Sequence, residues 1–249
     1  MISKNLIKLI KSLEQKKFRL REKLFVAEGP KVVGDIMVFK RPQRLIATRQ
    51  WYEKHQIEKD VLVSEEELRK VSFLQHPQEV IALFPLPEIN SFDYNSLRND
   101  LVLALDDVQD PGNLGTIIRL ADWFGIEQII CSLGTADAFS PKVVQATMGS
   151  IARVNLHYTD LPSFLENLGD GFPIYGTFLN GTNVYEQELS KSGVIIMGNE
   201  GKGISKEVER YVNKRLFIPS YPAERPTAES LNVAIATAIT CAEFRRRYV

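Results

Sequence analysis

The chain has 249 residues, of which 44% are apolar and 25% charged, and its 31 basic side chains balance 31 acidic ones. This composition is ordinary for a globular protein and excludes a disordered, collagen-like or disulfide-rich chain. No apolar run is long enough to span a bilayer, and the first residues lack the apolar core of a signal peptide. Cys131 and Cys241 lie far apart and predict reduced core thiols of a cytoplasmic protein.

In chain order, the first 85 residues predict a small α/β domain. Helical patterns fall near 3–12, 30–38 and 65–72, and strand-like runs fall near 44–47, 61–63 and 79–84. Residues 1–25 carry eight basic side chains against two glutamates, namely Lys4, Lys8, Lys11, Lys16, Lys17, Arg19, Arg21 and Lys23. Such a basic face suits a polyanionic partner, and a solvated helix face explains the composition equally well.

A second, larger domain follows a segment near 85–98 that is rich in turn-forming residues. Strand-like runs recur at 101–105, 128–132, 173–178, 194–198 and 215–218, with helical patterns between them at 113–124, 141–148, 161–168 and 204–212. This alternation predicts an α/β fold with a parallel sheet covered on both faces. The domain boundaries that we expect are 1–88, a linker at 89–98, and 99–249.

The last segment, 231–246, is apolar on nearly all sides of a helix and rich in alanine. Such a helix must be buried on most of its surface. We therefore expect it to pack inside the second domain or against a second subunit.

The segment 106–119 places Asp, Pro, Gly and Asn at the carboxyl end of a predicted strand. Open α/β sheets bind ligands at this edge, so Asn113 and Arg119 are candidates to face one cleft. A helix cap at Asn113 with an Arg119–Asp122 surface pair explains the same residues equally well.

The segment 194–205 also follows a predicted strand, and three glycines in it allow close approach of the backbone to a ligand. It matches neither a dinucleotide-binding turn nor a phosphate-binding loop, and a plain strand-to-helix turn is the alternative. Glu200 would repel a phosphate. We hypothesise that Glu200 instead pairs with Arg119.

The third segment runs from Leu216 to Pro219 and resumes at Ser230. We expect Ser230 to cap the last helix and Asn232 to lie in its first turn. A buried amide in that position requires a hydrogen-bond partner.

Taken together, these three segments resemble the SpoU (TrmH) family of RNA 2′-O-ribose methyltransferases. The resemblance covers about 101–249, with the three motifs in order, and the run 140–150 also fits the family. Residues 15–38 resemble the amino-terminal RNA-binding domain of many members. After Pro219 the family commonly has a short link, whereas this chain has a longer one at 220–229 with two prolines, which puts the pocket rim and target choice in doubt.

The resemblance implies a deep trefoil knot at the carboxyl end of the sheet, a feature nearly absent from other α/β proteins. It implies S-adenosylmethionine as the cofactor and a homodimer formed through the knotted domain. The implied cofactor-binding residues are Thr177, Met197, Gly198, Asn199, Gly201, Phe217, Ile218, Pro219 and Leu231. The implied polar catalytic set is Asn113, Arg119, Glu200, Ser230 and Asn232.

The implied reaction is attack of a ribose 2′-oxygen on the methyl carbon of the cofactor, on ribosomal RNA in preference to transfer RNA. The family casts the arginine as the base, yet arginine does not lose its proton at neutral pH. Arg119 can instead stabilise the developing alkoxide while Glu200 or a phosphate-bound water takes the proton.

The alternative function is a non-catalytic RNA-binding or ribosome-associated protein on the same fold. A nucleotide-dependent oxidoreductase would need a GxGxxG turn that this chain lacks, and the scattered histidines predict no metal site.

Overall fold

The computed structural model describes residues 2–88, 94, 97, 99–222, 225–226 and 228–248. In chain order, the helices α1 to α10 are Lys4–Ser12, Lys16–Glu22, Pro30–Met37, Arg49–His55, Glu65–Val71, Pro111–Trp123, Pro141–Ala146, Leu161–Glu166, Lys206–Glu209 and Val233–Arg246. The strands β1 to β10 are Leu24–Glu28, Arg44–Ala47, Val61–Leu62, Val80–Pro85, Leu101–Leu105, Gln128–Ser132, Asn155–Thr159, Ile174–Asn183, Gly193–Met197 and Lys214–Phe217. Most of the predicted linker at 89–98 lies outside the described residues, as does part of the link at 220–229.

The chain forms two compact units. The first comprises Met1–Glu88 and Asp137–Arg153, and the second comprises Ile89–Ala136 and Val154–Val249. The segment 137–153 groups with the first unit because α7 packs on β1. A boundary drawn from composition along the chain cannot find such a segment, and the division into 1–88, 89–98 and 99–249 stays a prediction.

The first unit is built on a four-stranded sheet in the order β1-β4-β2-β3. Strand β4 is antiparallel to both β1 and β2, and β3 is parallel to β2. Helix α1 packs its apolar side chains, which include Leu6 and Ile10, into a core that also contains Leu68 and Val71 of α5. The three- and four-residue spacing of apolar positions in α1 explains why this helix was predicted correctly.

Some of the eight basic side chains in residues 1–25, Arg19 and Lys11 among them, take part in the fold of this unit. Arg19 is 3% exposed, donates to the carbonyl oxygens of Leu13 and Glu14, and lies 2.5 Å from a carboxylate oxygen of Asp137. Lys11 donates to the carbonyl oxygen of Ser72 at 2.8 Å. Arg19 therefore cannot belong to the solvent-facing basic surface that composition indicates.

The second unit is built on a six-stranded sheet in the order β10-β8-β9-β5-β6-β7, and every described pairing in it is parallel. The predicted α/β fold with a parallel sheet is confirmed, and the trefoil knot stays a prediction. From β5 the chain continues to β6 on one side, whereas β9 lies on the other side. The carboxyl ends of β5 and β9 are therefore adjacent at the point where the strand order reverses, which is where such sheets bind ligands.

Helix α10 packs against α6 and buries one side, which includes Val233, Thr237, Cys241 and Phe244. Ile235 on the same helix is 52% exposed. The apolar pattern of 231–246 is thus explained only in part by packing within the unit.

Within the described part of the chain, no helix combines the length and apolar character needed to cross a membrane.

Candidate functional site

The loops that follow β5 and β9 are joined by backbone hydrogen bonds. Leu105 and Met197 are paired at the ends of the two strands, and the amide of Asp106 donates to the carbonyl oxygen of Met197 at 2.9 Å. The buried carboxylate of Asp106 accepts from the amide of Ser205 at 2.7 Å. Segments almost a hundred residues apart in sequence therefore form one surface at the carboxyl edge of the sheet.

Helix α6 begins with Asp110 as its cap, because the Oδ1 atom of Asp110 accepts from the amide of Asn113 at 2.8 Å. Pro111 occupies the first helical position, where its missing N–H costs nothing. The side chain of Asn113 is therefore available for other hydrogen bonds. The alternative that Asn113 caps the helix is wrong.

Three side chains from the three predicted segments form one hydrogen-bonded chain. The Nδ2 atom of Asn113 donates to Oε1 of Glu200 at 3.0 Å, and Nδ2 of Asn232 donates to Oδ1 of Asn113 at 2.9 Å. The Oδ1 atom of Asn232 accepts from the amides of Ala234 and Ile235, so Asn232 is the cap of α10. The expectation that Ser230 is the cap is wrong. Ser230 is exposed, two residues before the cap.

The carboxylate of Glu200 accepts three N–H groups and does not bind Arg119. Besides Asn113, it accepts from the backbone amides of Asp110 at 3.1 Å and Gln109 at 3.3 Å. Burial by itself would raise the pKa of Glu200, but the hydrogen bonds from Asn113 and the backbone outweigh it and hold the pKa below its ordinary value. The hypothesis of a Glu200–Arg119 pair is wrong, because the carboxylate is held by Asn113 and two backbone amides and forms neither a hydrogen bond nor an ion pair with Arg119, both residues lying in the described part of the chain.

Arg119 lies on the exposed side of α6. Its guanidinium makes neither a hydrogen bond nor an ion pair with any residue that the structure describes. The surface pair with Asp122 is therefore absent as well. Its positive charge and its N–H donors are therefore available to a ligand.

Asn199 organises the loop that carries Glu200. Its Nδ2 atom donates to the carbonyl oxygen of Asp107 at 2.7 Å, and its Oδ1 atom accepts from the amides of Gly201 and Lys202 at 3.0 Å each. Asn199 also exchanges two backbone hydrogen bonds with Gly203. The Asn199 side chain therefore holds the loop in shape, and the prediction that the backbone of 197–201 lines a cofactor pocket stays a prediction.

Two glycines show how closely this part of the site is packed. A Cβ atom on Gly198 would lie 2.3 Å from the carbonyl carbon of Gly203, whereas one on Gly201 would have its nearest neighbour at 3.8 Å. Gly198 is required by the fold of the loop itself, independently of any ligand.

Asp107 is a residue of this site that the sequence patterns did not single out. It has a positive φ of 56°, and its Oδ1 atom accepts from the hydroxyl of Ser132 at 2.5 Å. This left-handed conformation directs its carbonyl oxygen to Asn199. A non-glycine residue in this region of backbone space is uncommon, and only the structure can detect it.

Thr177 lies within β8, just after the part that pairs with β9, and the other predicted cofactor-binding residues lie at the carboxyl ends of β9 and β10 or just before α10. Met197 is buried, Gly201 and Leu231 are exposed, and Thr177, Gly198, Asn199 and residues 217–219 are half-buried. The hydroxyl of Thr177 has only long contacts, at 3.4 Å to a carbonyl oxygen and 3.8 Å to the sulfur of Met197. Half-buried apolar side chains at 217–219 beside a weakly held hydroxyl and exposed backbone fit an adenosine group.

Chemistry based on thiols or metals has little support here. Both cysteines are buried, and burial raises the pKa of the Cys241 thiol to about 12, so it stays protonated at neutral pH. Within the described ranges, no three His, Cys, Asp or Glu side chains are grouped so that they could hold a metal ion.

Two family models match this chain. Residues 100–242 match the SpoU rRNA Methylase family, and residues 4–82 match the MRM3-like substrate binding domain. Among curated proteins, the chain is 34% identical to the 23S rRNA (guanosine(2553)-2'-O)-methyltransferase RlmP of Bacillus subtilis (strain 168), covering 92% of this chain and 91% of that one. It is 29% identical to the 23S rRNA (guanosine-2'-O-)-methyltransferase RlmB of Haemophilus ducreyi, covering 69% and 72%.

Two solved structures are similar to this chain in fold over nearly its whole length. A protein of Porphyromonas gingivalis assigned to the TrmH family of RNA methyltransferases is 42% identical, with a TM-score of 0.89 and coverage of 99% of both chains. An rRNA methyltransferase of Sinorhizobium meliloti, solved with bound AdoMet, is 31% identical, with a TM-score of 0.84 and coverage of 100% and 97%. With the family model matching more than half of its residues, this chain belongs to the SpoU rRNA methylase family.

Proposed function

We propose that this chain transfers a methyl group from S-adenosylmethionine to a ribose 2′-hydroxyl of 23S ribosomal RNA. The family model and two relatives that act on guanosines of 23S rRNA support the substrate class. The observation that carries the proposal is the hydrogen-bonded chain Asn232–Asn113–Glu200, whose Asn113 lies on the same helix as Arg119. It joins all three sequence segments at the edge of the sheet where a ligand would bind.

When bound, S-adenosylmethionine supplies an electrophilic methyl carbon and a neutral sulfur leaving group. The protein then has to position the ribose and control one proton. We place the adenosine against the half-buried segment 217–219 and Thr177, with the backbone of 197–201 lining the pocket. Alignment of the reacting atoms is worth up to about 7–11 kcal/mol in well-oriented systems, so positioning is the main task of these residues.

Arg119 stabilises the alkoxide that develops on the ribose 2′-oxygen. Its guanidinium has no carboxylate partner among the described residues, so its charge is available to stabilise the anion that develops once the ribose is bound. The pKa of Glu200 is depressed and its oxygens already accept three N–H groups. Glu200 is therefore a poor proton acceptor, and we assign it to holding Asn113 and the start of α6. The proton then passes to solvent through a water bound to a phosphate of the RNA.

We further propose that the functional form is a homodimer built through α6 and α10. These helices pack on each other, and each presents an exposed apolar side chain: Trp123 is 83% exposed and Ile235 is 52% exposed. A second copy would cover both. We also propose that the enzyme acts in the cytoplasm, where bacterial ribosomal RNA is found.

The test is incubation of the purified chain with labelled S-adenosylmethionine and total RNA from a strain that lacks the protein. We expect label in 23S rRNA at one ribose, mapped by alkaline resistance of the methylated linkage, and no label with Arg119→Ala. The competing function, a non-catalytic RNA-binding protein on this fold, predicts no cofactor binding by calorimetry and no label. Label confined to transfer RNA would refute the substrate class.

A further inference from the structure

The turn that follows β6 is bound to the turn that follows β5. The amide of Ala136 donates to the carbonyl oxygen of Val108 at 2.9 Å, and the buried hydroxyl of Thr135 donates to the carbonyl oxygen of Leu105 at 3.1 Å. The turn after β5 leads into α6 and Asn113, so it carries part of the candidate site. The turn after β6 contains none of the predicted site residues, yet it is attached to that site.

The side chain of Ser132, the last residue of β6, holds Asp107 through two hydrogen bonds. Its Oγ atom donates to Oδ1 of Asp107 at 2.5 Å and accepts from the amide of Asp107 at 2.9 Å. Ser132 is 8% exposed, which leaves little room for water to replace either bond. Asp107 has a positive φ of 56°, a conformation that residues other than glycine keep only when their surroundings hold it. Ser132 supplies two of the contacts that hold it.

The conformation of Asp107 sets the direction of its carbonyl oxygen. That oxygen accepts from Nδ2 of Asn199 at 2.7 Å, and Oδ1 of Asn199 accepts from the amides of Gly201 and Lys202 at 3.0 Å each. If Asp107 became extended, its carbonyl would turn away and Asn199 would lose the acceptor that orients its amide group. The shape of the loop after β9, residues 198–203, therefore depends on Ser132 through two intervening residues.

Gly134 shows that the carboxyl group of Asp107 has a defined place in this arrangement. A Cβ atom on Gly134 would lie 2.4 Å from Oδ1 and 2.8 Å from Cγ of Asp107. A larger residue at position 134 would therefore displace the carboxylate that Ser132 holds. The turn after β6 thus fixes Asp107 both by hydrogen bonding and by close packing.

We propose that Ser132 is a positioning residue for the loop after β9, acting through the backbone of Asp107 and the side chain of Asn199. This inference rests on the proposed function in taking the backbone of 197–201 as one wall of the S-adenosylmethionine pocket. Ser132 itself contacts neither cofactor nor RNA in this role. Loss of its hydroxyl should lower the affinity for the cofactor, because binding would then have to order the loop as well.

The test measures S-adenosylmethionine binding to the full chain by calorimetry, without RNA. We expect Ser132→Ala to weaken binding about tenfold, which corresponds to about 1.4 kcal/mol. Asp107→Gly should bind within about threefold of the wild type, because glycine adopts a positive φ without support from a side chain. For the same reason, the double variant with both substitutions should bind as well as Asp107→Gly alone. A general loss of stability would not be rescued by removing a second side chain.

Two further variants narrow the interpretation. Gly134→Ala should weaken binding as Ser132→Ala does, and Asp107→Gly should restore it, because the clash is with the Asp107 side chain. Ser163→Ala is the matched control, because the hydroxyl of Ser163 also donates to an aspartate, Oδ2 of Asp160 at 2.6 Å, in the first turn of α8. It removes the same type of hydrogen bond elsewhere in the unit and should leave the affinity unchanged.

Hydrogen exchange of the amides of Gly201 and Lys202, followed by NMR, is a second measurement that needs no cofactor. We expect both amides to exchange faster in Ser132→Ala and at close to the wild-type rate in the double variant. Exchange and affinity that are the same in Ser132→Ala and the wild type overturn the inference. A double variant that binds no better than Ser132→Ala also overturns it.

The two measurements separate this inference from the proposed function. If the wild-type chain binds no S-adenosylmethionine while exchange in the loop depends on Ser132 and is rescued by Asp107→Gly, the proposed function fails and the control of the loop by Ser132 stands. If the wild type methylates RNA and Ser132→Ala changes neither affinity nor exchange, only this inference fails.

Discussion

Replacing Glu200 with Gln tests whether this residue positions the site or removes the proton. The carboxylate accepts from Asn113, Asp110 and Gln109. A glutamine keeps one oxygen, which can still accept from Asn113 and Asp110, but its amide nitrogen then faces the N–H of Gln109. One hydrogen bond is lost, and two change from charge-assisted to neutral.

The size of the effect follows from these three contacts. Each charge-assisted bond exceeds a neutral one by about 1 kcal/mol, and water can replace part of this because Glu200 is exposed. We therefore expect the free energy of unfolding to fall by about 1 kcal/mol. A displacement of the Asn113 side chain by about 1 Å should lower the single-turnover rate of methyl transfer by about 10- to 100-fold.

The pH dependence separates the two roles. Because the folded-state pKa of Glu200 lies below its ordinary value of 4.5, its contribution to stability is present above that value and is lost as the pH falls through the folded pKa. Glu200 therefore stays ionised throughout an assay between pH 6 and 9. We expect Glu200→Gln to lower the rate equally at every pH in this range, measured with tritiated cofactor on unmethylated rRNA.

The matched control is Glu207→Gln, an exposed glutamate at the start of α9, which should keep the wild-type rate. An acidic limb in the wild-type pH profile that disappears in Glu200→Gln would refute the reasoning. That result would make Glu200 a general base whose pKa rises when the substrates bind.

Three further predictions concern single residues. For Arg119→Ala and Arg119→Lys, we expect a free energy of unfolding in urea within about 0.5 kcal/mol of the wild type, since no contact with a described residue is lost. Both variants should lose at least about 100-fold in kcat/KM. A near wild-type rate for Arg119→Ala would contradict the assignment. Gly198→Ala should weaken S-adenosylmethionine binding more than about tenfold by calorimetry, because its Cβ would lie 2.3 Å from a backbone atom. Gly201→Ala, whose Cβ would have its nearest neighbour at 3.8 Å, should bind nearly normally. Equal loss of binding in both variants would count against this account of the loop. Arg19→Ala should cost about 3 kcal/mol in urea unfolding, because it leaves Asp137 and two carbonyl groups without their donor, and a cost under about 1 kcal/mol would mean that water replaces the guanidinium.

Periodicity predicted the strands that form the centre of each sheet, because a strand buried on both faces is a short apolar run. It missed β1 and β7, and the reasons differ. Strand β1 is buried but follows a basic helix and ends in Glu28, whose carboxylate is held by Ser72. Strand β7, with the sequence Asn-Leu-His-Tyr-Thr, is only half-buried at the edge of its sheet and has no apolar run to detect.

The site was predicted at the level of segments but not of contacts. The sequence contains the order of the three motifs, so their convergence followed from the rule for open α/β sheets. The predicted Glu200–Arg119 pair was wrong, because attraction between opposite charges takes no account of backbone amides that also donate to the carboxylate. Two amides and an asparagine satisfy Glu200 from one side, and no sequence pattern reports the direction of a backbone N–H group.

The absence of the Arg119–Glu200 pair has a mechanistic consequence. An arginine bound to a carboxylate would enter the reaction already neutralised, and the pair would have to break before the ribose oxygen could use the charge. Here neutral donors hold the carboxylate of Glu200, so the loop after β9 is attached to the start of α6 without an ion pair to Arg119. The Asn232–Asn113 contact extends the same arrangement to the start of α10. The three segments are thus held together by neutral donors and one ionised carboxylate. Arg119, which contacts no carboxylate among the described residues, is left available to the substrate.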